Sequence, residues 1–161
     1  MAKSNYQAEL IFNLNSRLFK NTFAGMSEED AQKRISDHSN SFSWIAAHTV
    51  WARYMIVAFL GNPQPNPYDD LFKGFKPYDD AQKYPSLEEI SAQWNTASGF
   101  LQDALKTVSE EALAGESPIK SPIVENTNLG TVTFLAQHES YDIGQLGLLK
   151  KYFTNEAMSY S

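Results

Sequence analysis

Three histidines, His38, His48 and His138, are the only nitrogen side chains suited to metal binding or near-neutral proton transfer in a chain without cysteine. The absence of thiols removes disulfides, zinc ribbons and cysteine nucleophiles together, so a metal centre here must be built from His, Asp or Glu. Two of the histidines sit among apolar residues at helical spacing. His48 follows Trp44 by four positions and Ile45 by three. His138 stands in the same relation to Phe134 and Leu135, and its face continues through Asp142 and Gln145. Imidazoles and a carboxylate on a buried face need partners, and one divalent ion would serve all of them.

Side chains at i and i+4 of a helix stand roughly 6 Å apart at Cβ, which lets two of them converge on an ion about 2.1 Å from each ligand atom. His138 and Asp142 have that spacing. His48, from a facing helix, would complete a face of two His and one carboxylate with positions left open, a set that suits Zn, Ni, Fe or Mn. Gln145 is placed one turn beyond to bond a metal-bound water or the substrate. Tyr141 is a second candidate donor to substrate, with packing as its other role.

Each residue also has a purely structural reading. A helical His on an apolar face is often a hydrogen-bonded core residue, and Asp142 alone could pair with Arg53 or Arg17. His38 lies in the polar stretch Ser36–Asn40, where solvation or a capping contact is expected. Glu139 is rotated about 100° from His138 around a helix, which predicts a surface charge or a supporting group behind the ligands.

The elements that must hold these residues are helical. Leu10, Ile11, Leu14 and Leu18 predict a first helix over 6–20; Ser27 opens a short one ending near Ile35. Asn40 or Ser41 caps a second long helix over 44–59, apolar around much of its circumference and stopped by Gly61 and Pro63. Ser86-Leu87-Glu88-Glu89 is a capping box opening a third, and residues 131–154 form a fourth. No run alternates with period two. The expectation is therefore an all-α four-helix bundle, one domain over 1–161, with a long crossover at 62–85 between helices 2 and 3. At ~3.3 Å per residue that crossover can run the height of the bundle. Within it Pro67-Tyr68-Asp69-Asp70 recurs as Pro77-Tyr78-Asp79-Asp80, which reads as turn chemistry because neither copy has the spacing of a calcium loop. The loop aromatics Tyr68, Phe72, Phe75, Tyr78 and Tyr84 either pin it to the bundle or line a pocket.

A net charge of −6 without a basic cluster argues against binding phosphate backbones. The beginning of the sequence shows no apolar signal core, and the longest uncharged apolar run, residues 54–60, is far below the ~20 residues that span a bilayer. A cytoplasmic protein is expected.

The string Asn40-Ser41-Phe42-Ser43-Trp44-Ile45-Ala46-Ala47-His48, with Arg53 and the Leu60-Gly61 stop, resembles the first signature helix of the DinB/YfiT-like metalloenzymes. His138-Glu139-Ser140-Tyr141-Asp142-Ile143-Gly144-Gln145-Leu146 is similar to the second. The resemblance implies a four-helix bundle in up-down-down-up order, a homodimer and three metal-binding histidines. Two of those match as His48 and His138, whereas the third position is Asp142, which still binds zinc or nickel but lowers the Lewis acidity of the ion. It also implies transferases or isomerases that use a low-molecular-weight thiol such as bacillithiol or mycothiol. The family's name refers to induction by DNA damage, not to DNA binding.

Two expectations for function follow. One is a metal-dependent enzyme, by resemblance a thiol-dependent S-transferase or isomerase, with hydrolysis at the same ion as a variant. The other is a noncatalytic, stress-associated binding or dimerisation protein, for which Val50, Tyr54, Ile56 and Val57, off the main stripe of helix 2, would supply a partner surface.

Overall fold

The computed structural model describes residues 3–161. Four long helices carry the fold: α1 (Tyr6–Phe23), α3 (Phe42–Phe59), α5 (Leu87–Thr107) and α7 (Asn128–Thr154). Three short ones, α2 (Glu28–Gln32), α4 (Asp69–Phe72) and α6 (Glu110–Ala114), lie in the connections. Among the described residues there is no strand, and no helix is long and apolar enough to cross a membrane.

The helices begin where side chains satisfy their first amide groups. Ser41 Oγ accepts from Trp44 N at the start of α3, and Thr127 Oγ1 accepts from Gly130 N at the start of α7. Ser86 and Glu89 form the expected capping box on α5.

Side-chain pairs give the helix directions. Asn5 Nδ2 donates to Leu105 O and Trp94 Nε1 to Ser16 O, so α1 and α5 run antiparallel. Asn15 meets Ser140, and Asn21 meets Ser159 beyond the end of α7, so α1 and α7 are parallel. His48 faces Asp142 while Arg53 faces Glu139, which makes α3 antiparallel to α7. Phe42, Ala46 and Val50 share an apolar cluster with Ile90, Trp94 and Ala97, whereas Ile56, Val57 and Leu60 pack with Leu101, Ala104 and Leu105. Helices α3 and α5 are therefore parallel, and the order is up-down-down-up. The 62–85 crossover exists because a parallel neighbour must start again at the far end of the bundle.

Two sequence expectations change. Leu10, Ile11 and Leu14 are exposed, while α1 buries Leu18 as expected together with Ala8, Phe12, Asn15, Phe19 and Thr22. The helix carries two apolar stripes; the one broken by Asn15 faces inward because Ser140 Oγ, at 3.0 Å, accepts its amide. On α3, Val50, Tyr54, Ile56 and Val57 are all buried, so its apolar circumference is core rather than a partner surface, and Met55 points outward. This helix is enclosed by α5, α7 and the crossover.

Candidate metal centre

Helices α3 and α7 present their polar interruptions to each other. Asp142 Oδ2 lies 3.3 Å from His48 Nδ1 and 3.7 Å from His138 Nδ1. Its other oxygen, Oδ1, accepts from Gln145 Nε2 at 3.3 Å. The Asp142 side chain is 7% exposed, and Oδ2 is buried without a hydrogen-bond partner. His48 and His138 are 20% and 39% exposed, so the group opens to solvent on the His138 side.

Two arrangements set the scale for these separations. A charge-assisted N–H···O bond closes to about 2.7–2.9 Å, shorter than either contact. Ligand atoms each about 2.1 Å from one ion stand roughly 3–3.5 Å apart. Two imidazole nitrogens thus flank an orphaned carboxylate oxygen, His48 Nδ1 within that range and His138 Nδ1 beyond it. Among the described residues no three His, Asp or Glu side chains enclose an ion as they stand. The half-exposed His138 ring is the member with most room to turn.

Aromatic rings fix the His48 imidazole. Trp44 stacks on it with centroids 5.0 Å apart and planes 5° apart, and Phe72 meets it edge-on at 5.6 Å. Phe134 lies 6.0 Å from the His138 ring. A cavity of about 240 Å³ opens against His48, with Trp44, Trp51, Phe72 and Phe75 on its walls. A larger one, about 1030 Å³, lies between α2, the crossover and the start of α5, and none of the candidate ligands lines it.

The neighbouring residues meet some of their sequence readings and depart from others. Arg53 is fully buried and bonds Glu139, so it is not the partner of Asp142; Arg17 is exposed. Glu139, expected at the surface or behind the ligands, is buried and belongs to a separate ion pair. Tyr141 is largely exposed, one residue round the helix from Asp142. His38 is exposed in its loop. Phe72, Tyr68 and Tyr84 pin the crossover, and Phe72 and Phe75 also line the small cavity. Trp51 as a wall of the site was not legible beforehand: an aromatic one turn past His48 looks the same in sequence whether it faces core or cleft.

The sequence profile of the DinB superfamily matches residues 12–146, which include both signature helices. The chain belongs to the DinB superfamily. A crystal structure of a conserved protein from Enterococcus faecalis is similar to it, with a TM-score of 0.72 at 12% identity, covering 97% of this chain and all of the other. At that identity the likeness concerns the fold alone. No curated protein matches the sequence. In this member of the DinB superfamily the two histidines and the carboxylate come together from α3 and α7, the helices that carry the resemblance.

Proposed function

We propose that this DinB-superfamily protein is a divalent-metal-dependent enzyme whose metal ligands are His48, His138 and Asp142. The observation that carries the reading is the buried, unpartnered Oδ2 of Asp142 set between two imidazole nitrogens. A bare carboxylate in that position is costly unless positive charge joins it. Zinc or nickel fits a nitrogen-rich set with one oxygen. A divalent ion held there supplies Lewis acidity that makes a thiol or a water nucleophilic near neutral pH.

The chain's own residues do the rest. Gln145 holds Oδ1 and so turns Oδ2 toward the histidines. Trp44 and Phe72 hold the His48 ring in place. Openness beside His138 gives a small molecule its approach. The superfamily resemblance supports transfer or isomerisation through a low-molecular-weight thiol as the reaction class, in a cytoplasmic homodimer. Exposed Leu10 and Leu14 on α1, and Leu148 and Tyr152 on α7, are apolar surface available to a second copy.

Metal analysis of untagged protein purified without added metal tests the proposal. Roughly one equivalent of zinc or nickel per chain is expected, falling at least tenfold in His48→Ala and Asp142→Ala. Less than about a tenth of an equivalent, with zinc titration showing no binding, would favour the noncatalytic binding protein instead.

A further inference from the structure

The small cavity against His48 is walled mainly by aromatic rings, with Lys76 and Pro77 of the crossover completing it. Trp51 stands 6.0 Å from Phe72 and 6.3 Å from Phe75, the latter edge-on, and Trp44 meets Phe72 edge-on at 5.5 Å. Trp51 is itself anchored, its Nε1 donating to Asp69 Oδ1 at 3.0 Å, so that wall is fixed in place. Trp44 Nε1 is a buried donor without an acceptor.

Phe75 is the anomalous member. It is 88% exposed, yet it lies beside the cavity mouth and occupies the left-handed region at φ 58°, directly after Gly74 at φ 78°. A bulky residue in that region is strained, and an exposed phenyl ring gains nothing from the core. Both features are accounted for if the ring's contact is with a guest in the cavity.

We infer that this pocket captures a planar, uncharged aromatic substrate, with Trp44, Trp51, Phe72 and Phe75 as the recognition surface and Phe75 as its outer wall. The volume of about 240 Å³ exceeds the roughly 150 Å³ cavity that holds benzene and suits a one- or two-ring guest. Aromatic boxes also bind quaternary ammonium ions. Here Lys76, bonded through Nζ to Asp70 O at 2.7 Å, stands in the wall and opposes a cation. A ring in this pocket lies against His48, whose other side meets Asp142. Any reaction after capture rests on the metal proposal above, whereas capture itself does not.

The test is a titration of chelator-treated protein with 2-naphthol, decahydro-2-naphthol and choline, followed through the tryptophan indole N–H resonances. Expected is saturable binding of 2-naphthol that shifts two indole signals, with the saturated alcohol weaker by about tenfold and choline weaker still. Phe75→Ala, at an exposed position, weakens 2-naphthol severalfold and Phe75→Tyr restores it. Zinc uptake of the same proteins reports on the metal centre separately: Phe75→Ala keeps it, and His138→Ala loses it while still binding 2-naphthol. Equal affinity for the two alcohols, tighter binding of choline, or an unchanged Phe75→Ala overturns the inference, whatever the zinc result.

Discussion

Arg53 and Glu139 form a bidentate ion pair inside the bundle, with Nε donating to Oε2 at 2.8 Å and Nη2 to Oε1 at 2.6 Å. The guanidinium carbon lies over Trp94, 3.5 Å from its ring centroid, and Nη1 donates to Ser16 and Ser98. Helices α1, α3, α5 and α7 thus meet at one buried charge. Removing one partner of such a pair leaves the other charged and dry, which costs about 3–5 kcal/mol. Glu139→Gln is expected to lower the unfolding free energy from urea titration by that order, while the Arg53→Met, Glu139→Leu double variant recovers most of the loss. A double variant as unstable as the single would show that the pair supplies net stability.

Asp142 presents the opposite case. Its orphaned oxygen is a liability in the metal-free protein, so Asp142→Leu is expected to leave the chelated protein as stable or stabilise it by about 1–2 kcal/mol. The same variant should lose zinc binding. Destabilisation of the chelated form by several kcal/mol would mean that the histidines already satisfy the carboxylate.

Ligand binding to the native state alone raises stability by about 2.7 kcal/mol at a hundredfold excess over Kd. For a chain of this size, that corresponds to a Tm increase of roughly 5–10 °C. Zinc added to chelated protein should produce such a rise in the wild type and none in His48→Ala, as read by scanning calorimetry.

The Tyr68 hydroxyl is buried without a partner, and burial, with Glu89 nearby, pushes its pKa up to about 12. The native state keeps this proton where the unfolded chain releases it, near 10. Tyr68 therefore favours the fold at neutral pH as much as it ever does, and that contribution is lost as the pH climbs from about 10 to 12. Tyr68→Phe should be neutral or about 1 kcal/mol more stable at pH 7, with a shallower alkaline decline. Tyr54 and Tyr84, also shifted upward by burial, keep the decline from vanishing.

If a second copy covers the outward apolar residues, Leu148→Glu should shift the protein from dimer to monomer in light scattering without changing its helix content. A wild type that is monomeric at high concentration would overturn the dimer.

The four long helices were legible because their signals are local. Capping residues such as Ser41 and Ser86 and apolar spacing at 3.6 residues act within one element. His48, His138 and Asp142 could be named for the same reason: a polar group on an apolar stripe is visible in one dimension. Which stripe of α1 faces inward was not legible, because it depends on Ser140, which lies far along the chain and receives Asn15.

The sequence alone determined the four long helices, the absence of cysteine side chains and the identities of the candidate ligands. The tertiary structure decided the pairings. Arg53 had two carboxylates within reach in principle, Asp142 and Glu139, and only the antiparallel register of α3 against α7 assigns it to Glu139. That assignment leaves Asp142 without a permanent cation. Register is set by the packing of whole helices, so no pattern within either helix could have revealed it.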